Sequence, residues 1–453
     1  MHWRNGMKRI AIVSSYNEEC GAAFYSSRLK KHFEAAGFEV DVKRLPVSLL
    51  RIKSPSAIRR KGDAEIRRIA SELPPYDAVF LQLEPGLYGT TARSSYRRIK
   101  LLLQASRQVV VTVHGFDRSY GGTSLLASLG AMARGEFMEG VRELRGYHLR
   151  NDLRAFWNYV RDAAHVKVLT FCMADQTLLK RYYDLPRVDH YPITYFDQAE
   201  VARIKASVDR DVFLRQHGMD PRKKYFAVCG FLSAYKGHLT AMKALEFRPE
   251  DWNVVILGGE HPHSIEAEKD IGRYLRQLLA FSVEKEDGGP MAVGASGLSG
   301  NLQMFDSNRK EIKDELFPLS EFKHFLPRKE LRNRIKFLGQ VSDEDMPKFY
   351  CALDYVVHPY IRTKSGQSGS GPATLALEFG AKSLFTNVPV FREMGEYFKN
   401  AMYFFNVGNF IELSEALERY DGFDPELTKH REVALKTYNP AGMVAKYREL
   451  MAL

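Results

Sequence analysis

No apolar run in this 453-residue chain approaches the ~20 residues needed to cross a bilayer. The opening ten residues lack the apolar core of a signal peptide, and the first strand-like run begins just after Met7, a candidate natural start. Cysteine is scarce: Cys20, Cys172, Cys229 and Cys351 stand far apart, without metal-ligand spacing. That spacing excludes a disulfide scaffold or a zinc ribbon and reads as reduced thiols in a cytoplasmic protein. No recognisable nucleic-acid-binding module is visible, and the most basic stretch has few interleaved aromatics, so nucleic acid is not an expected partner.

What is present is a globular composition, 45% hydrophobic and 12% aromatic, long enough for two or three domains with their own cores. The net charge of +11 is unevenly placed. Residues 1–200 hold 31 Lys+Arg against 21 Asp+Glu, whereas the rest hold 35 against 34. The excess gathers at 43–107, from Lys43 and Arg44 through Arg59, Arg60, Lys61 and Arg67 to Arg107. One face of the first domain is therefore expected to meet something anionic, such as a membrane surface or a phosphorylated lipid.

Strand and helix signals alternate along the chain. Short β-branched runs at Arg9–Ser14, Phe38–Val42, Asp77–Gln82, Val109–His114 and Val166–Thr170 are separated by helical stretches. The pattern restarts near 224, with runs at Tyr225–Gly230, Asn253–Leu257, Arg334–Leu338, Asp354–His358 and Ser383–Thr386. Such alternation predicts an α/β protein of two doubly wound parallel sheets. The connector falls at about 193–223, and a stretch at about 283–328 is too long for an ordinary loop and reads as an insertion.

The most informative stretch runs from Ser365 to Gly380. A small-residue loop containing Gly366, Gly369 and Gly371 and closed by Pro372 leads straight into a helix. Ser370 is the expected N-cap, and Pro372 fits the first turn, where its missing N–H costs nothing. Free N–H groups there, with the helix dipole behind them, suit a phosphate. Glu378 lies two turns on, placed to accept hydrogen bonds from sugar or ribose hydroxyls. An ordinary loop-to-helix start is the competing reading of the loop taken alone.

Three further features fall at the carboxyl ends of expected strands, where open α/β sheets bind ligands. These are the turn Ser14–Ser26 with Gly21 at a helix start, the His114-Gly115 pair, and Gly230-Phe-Leu-Ser-Ala-Tyr-Lys236-Gly237. Each is weak alone; a lone His114 is more often structural, and lysines are common at helix starts. In this order and spacing they resemble the retaining glycosyltransferases of family 4, with the GT-B architecture of two Rossmann-like domains facing a cleft. The resemblance spans nearly the whole chain apart from the insertion.

That resemblance implies transfer of a sugar from a nucleotide diphosphate sugar, with retention, to a glycan or lipid-linked saccharide acceptor. It implies an acceptor domain at 1–200, a donor domain at 201–439, and a helix at 440–453 that crosses back to the first domain. Catalytic roles fall on His114, which would touch the donor sugar, on Lys236, which would hold the diphosphate, and on Glu378, which would hold the ribose. Gly21, Gly230, Gly369, Ser370 and Gly371 would complete the donor-binding set. Two positions depart from the family. Phe231 replaces the phosphate-motif arginine, for which Arg362 is a candidate substitute, and Ser370 replaces the first acid of the paired-glutamate motif. These departures keep open a non-catalytic nucleotide-sugar-binding subunit, or an epimerase or phosphorylase of the same fold.

Asp343-Glu-Asp345 matches the acidic metal motif of other glycosyltransferases, but Ser342 begins a helix there, and acids in a first turn are expected from capping. No metal and no other cofactor is expected. The place of action implied is the cytoplasm, peripheral to the inner face of the membrane.

Overall fold

The computed structural model describes residues 8–18, 20–52, 55–115, 125–259, 274–275, 278, 281, 283–285, 325–327, 331, 333–362, 367–398, 401–420 and 424–452. The chain forms two compact units. The first comprises Met1–Tyr195, Lys364–Gly369 and Pro440–Leu453, and the second Phe196–Thr363 and Ser370–Asn439. The insertion at about 283–328 lies outside the described residues, apart from short antiparallel strands β9 (Val283–Lys285) and β10 (Phe325–Pro327).

In the first unit six strands run parallel: β1 (Arg9–Ser14), β2 (Glu39–Arg44), β3 (Ala78–Leu83), β4 (Val109–Val113), β5 (Val166–Thr170) and β6 (Val188–His190), ordered β2-β1-β3-β4-β5-β6. β3 and β4 are buried along their whole length, as a sheet covered by helices on both faces requires. The helix Pro440–Met451 belongs to this unit. Its Tyr447 hydroxyl meets Thr112 on β4 and lies 3.3 Å from the Tyr25 hydroxyl on the helix Gly21–Ala35.

The second unit repeats the plan with β7 (Lys224–Cys229), β8 (Trp252–Leu257), β11 (Ile335–Gly339), β12 (Tyr355–His358), β13 (Ser383–Thr386) and β14 (Tyr403–Phe405), ordered β11-β8-β7-β12-β13-β14. All its pairings are parallel. The two orders place the reversals that matter for binding. In the first sheet the strand order turns back between β1 and β3, and in the second between β7 and β12. The carboxyl ends flanking such a reversal open a crevice, because the connections leave in opposite directions. The doubly wound α/β architecture expected from the sequence is the one observed.

All four cysteines are free thiols, and among the described residues no helix is long and apolar enough to cross a membrane.

Candidate functional site

At the second unit's reversal, β7 ends at Cys229 and the chain enters Gly230 at φ +113°, a conformation costly for a residue with a Cβ. The chain makes one 3₁₀ turn at Ala234–Lys236 and leaves through Gly237 at φ +71°. This folds the Lys236 side chain back beneath Gly230. A Cβ on Gly230 would lie 3.0 Å from Lys236 Nζ and 3.5 Å from Pro372 Cγ. The lysine is only 6% exposed and forms no ion pair with any described residue. Its ammonium donates to the Tyr360 hydroxyl and sits 4.3 Å from the centroid of that ring and 5.2 Å from that of Tyr235.

Tyr360, two residues past β12, carries the contact onward. Its hydroxyl is 2.9 Å from Ser370 Oγ. Ser370 is the N-cap of the helix Gly371–Glu378 and accepts from the Ala373 N–H at 3.4 Å. The structure thus brings Gly230, Lys236, Ser370 and the start of the 371–378 helix into one cluster. Lys236 donates to the Tyr360 hydroxyl, which in turn shares a hydrogen bond with the Ser370 hydroxyl, so the three groups form one connected polar chain ending at the helix N-terminus. A buried cation with no counter-ion among the described residues, beside a helix N-terminus, is an arrangement that an anion completes.

Glu378 lies apart from this cluster, about 12 Å further along the helix axis. It is 3% exposed, and its Oε1 accepts from the Phe196 N–H at 3.3 Å. Arg362 is exposed in the loop after Tyr360. Gly369 falls in the first unit at φ +156°, where a Cβ would come 2.8 Å from Ile193 Cδ1. The acids at 343–345 serve the helix Asp345–Ala352. Ser342 Oγ accepts from the Asp345 N–H at 3.0 Å, and Lys348 reaches Glu344 and Asp345, both at 3.0 Å.

In the first unit, Gly21 begins the helix Gly21–Ala35 with open space around the position of a Cβ. Tyr25 on this helix presents its ring to His114 edge-on, centroids 5.2 Å apart. His114 Nε2 donates to Gln82 Oε1 at 2.7 Å, and burial pushes its pKa down to about 3. The imidazole is therefore neutral near pH 7, with Nδ1 as its acceptor.

Glu84 is a residue that sequence reasoning missed. It follows β3 at the first sheet's reversal, and a Cβ on Gly115 would lie 2.4 Å from its Oε2, so the carboxylate occupies the space beside Gly115. Burial raises its carboxyl to about 7, opposed by a hydrogen bond from the Gly86 backbone and by the charge of Arg51. The available signal was an acid at the end of an apolar strand, directly before Pro85-Gly86.

His358 adds a pH response. It ends β12 fully buried, stacked on Phe385 with centroids 4.7 Å apart, and neither ring nitrogen has a hydrogen-bond partner among the described residues. Burial, with the Lys236 charge second, lowers its pKa to about 3. A histidine held neutral in the fold but titrating at about 6.5 when unfolded stabilises fully above 6.5 and progressively less as pH falls toward 3. Between about pH 7.5 and 4.5 this group alone should remove 2–3 kcal/mol, roughly, from the unfolding free energy. His358→Phe should flatten the dependence by that amount, read from urea unfolding at both pH values; an unchanged slope would show that His358 does not contribute.

No protein-family model matches the sequence, and no curated protein sequence is significantly similar to it. Solved structures are similar in fold. Anabaena HepE, crystallised with UDP, superimposes with a TM-score of 0.57 at 14% identity, covering 98% of this chain and 100% of its own. Sucrose-phosphate synthase from Thermosynechococcus elongatus gives 0.57 at 15% identity, covering 98% and 99%. A UDP-forming α,α-trehalose-phosphate synthase from Burkholderia vietnamiensis gives 0.59 at 10% identity, covering 99% and 100%. Likeness at such identities establishes the fold, the GT-B architecture of two Rossmann-like units.

Proposed function

We propose that this chain is a retaining glycosyltransferase of the family 4 type, which moves a sugar from a nucleotide diphosphate sugar to a glycan or lipid-linked saccharide in the cytoplasm. The observation that carries the reading is the buried Lys236 ammonium, without a carboxylate partner among the described residues, linked through Tyr360 to the N-cap of the 371–378 helix. In this reading the diphosphate sits there, held by Lys236, the Gly371 N–H and the Ser370 hydroxyl. Backbone flexibility at Gly230, Gly369 and Gly371 lets the chain approach it, and Gly21 leaves room for the donor in the first unit.

As the bond from the anomeric carbon to the diphosphate oxygen breaks, its electron pair stays on the diphosphate. Lys236 and the helix dipole stabilise that growing charge, the kind of fixed electrostatic support that dominates such catalysis. The acceptor oxygen bonds the anomeric carbon on the same face and its proton passes to the diphosphate. Because these groups supply the positive charge, the reading requires no metal. His114, neutral, offers Nδ1 to a hydroxyl of the donor sugar, and Glu378 holds the ribose. The exposed Arg362 supplies the charge missing at Phe231.

UDP is the first ligand to test and UDP-glucose the first donor, since Anabaena HepE was crystallised with each. Calorimetric titration should show one nucleoside diphosphate binding, and incubation of its sugar with acceptors should release it; a chain that neither binds nor turns over any nucleotide sugar does not have this function. Arg362→Ala should weaken donor affinity about tenfold, the size of one charged hydrogen bond. Unchanged affinity would remove Arg362 from the site. A second reading, a non-catalytic nucleotide-sugar binder, is favoured by Phe231 and Ser370 standing where the family carries charge. It predicts tight donor binding with no transfer to any acceptor.

A further inference from the structure

The cations at 43–107 do not form the uniform basic face that composition suggests. Lys43 pairs with Glu72, Arg44 with Glu18, Arg68 with Glu65, and Arg97 and Arg98 both with Asp63. Arg98 is also committed to the Leu50 and Tyr88 carbonyls. What remains is more localised. Arg59, Arg60, Lys61 and Arg67 on the helix Ser56–Glu72, and Arg93 on the helix Ala92–Gln104, are exposed and pair with no described acid.

Those two helices pack side by side, and the second packs in turn against the helix Phe137–Asp162 through Tyr96 stacked on Phe156, centroids 4.6 Å apart. The Phe137–Asp162 helix forms a hairpin with Leu125–Ala133. The two approach so closely that a Cβ on Gly140 would lie 2.4 Å from Met132 Cγ, and Ser128 Oγ donates to the Gly140 carbonyl at 2.7 Å. The hairpin is thus a firm element, yet its outer side is apolar. Leu126 is 81% exposed, Phe137 68% and Met138 84%, with Leu125, Leu129 and Val141 also exposed. Spacings of three and four residues put Leu125, Leu126 and Leu129 on one face of the first helix, and Phe137, Met138 and Val141 on one face of the second. Arg145 and Arg154, also exposed and without an acid partner, follow on the same helix.

We propose that this hairpin docks the protein on an anionic lipid bilayer. The exposed Leu, Phe and Met side chains enter the interface between headgroups and acyl chains. The unpaired cations Arg145 and Arg154 of the hairpin, with Arg93 of the Ala92–Gln104 helix packed against it, meet the headgroups. A cluster of large apolar side chains this exposed needs a covering partner, and unpaired cations on the same hairpin, the nearer of them Arg145 one turn from Val141, favour a negatively charged one. The inference stands on the first unit alone and is independent of the donor site.

The test is co-sedimentation of the full chain with vesicles of phosphatidylcholine alone or with about 30 mol% phosphatidylglycerol. Binding should be at least about tenfold stronger to the anionic vesicles, and about tenfold weaker at high than at low salt. The combined change Leu126→Ser, Phe137→Ser and Met138→Ser should abolish it. Circular dichroism and calorimetric nucleotide binding should stay as in the wild type, since none of the three is in the core. Equal binding to both vesicle types, binding to neither, or undiminished binding by the triple variant would overturn the proposal. So would a concentration-dependent dimer in sedimentation velocity that the triple variant abolishes, since the occupant would then be a second copy.

Discussion

Lys236→Met should cost the protein its nucleotide affinity without costing it stability. In most buried sites, losing a charged side chain leaves a partner charge stranded, and the fold suffers. Among the described residues no carboxylate pairs with the lysine, so none is stranded. Met matches the aliphatic stem and packs against the Tyr360 and Tyr235 rings that now flank the ammonium. The unliganded variant should therefore unfold in urea at the wild-type midpoint or above it. Binding behaves oppositely. Removing one side of a desolvated charge pair typically costs 2–5 kcal/mol, so affinity for a nucleoside diphosphate should fall by about two orders of magnitude. Thermal shift gives a second readout. A ligand at about 100 times its dissociation constant stabilises the wild type by about 2.7 kcal/mol, and this gain should fall to about 0.4 kcal/mol in the variant at the same concentration. Wild-type affinity in Lys236→Met would refute the anion site. A large loss of unliganded stability would instead mean that the lysine serves the fold.

How much of this was legible in the sequence depends on how local the cause is. Strands such as β1, β5 and β13 were legible to the residue because each is a short stretch dominated by β-branched or apolar residues. The edge strands β6 and β14, three residues each, carry no run long enough to stand out, and their pairing depends on a neighbour already in place. The cap at Ser370 was legible because capping is chemistry within four residues. Tyr360 was not. It meets Lys236 across 124 positions, and only the order β7-β12 puts those two strand ends together. Glu84 has the same explanation in the other sheet, where β1 and β3 flank the reversal. The basic segment misled for a related reason. Composition counts charges, but Asp63, Glu65 and Glu72 neutralise several of them through contacts that only folding makes.

Gly237→Ala should be among the most damaging single substitutions in the second unit. Two separable costs apply. The residue sits at φ +71°, where a side chain costs about 1 kcal/mol by itself. Its added Cβ would also fall 1.8 Å from the Pro359 carbonyl oxygen, inside any permissible contact. The obstructing atom is backbone, so no side-chain rotation relieves the overlap, and the 3₁₀ turn must part from the segment after β12. That segment is tied to the turn by the Ile361 N–H bonded to the Tyr235 carbonyl at 2.8 Å, and it carries Tyr360. Gly218→Ala isolates the first cost, since Gly218 lies at φ +67° with nothing within 4 Å of the added carbon. Urea unfolding should therefore give about 1 kcal/mol for Gly218→Ala and more than about 4 kcal/mol for Gly237→Ala. Any Gly237→Ala protein that still folds should bind nucleotide poorly, because separating the turn from β12 breaks the Lys236–Tyr360 contact. Equal losses for the two alanines would mean that the turn and the β12 loop are not in contact, and the anion site built on that contact would fall with it.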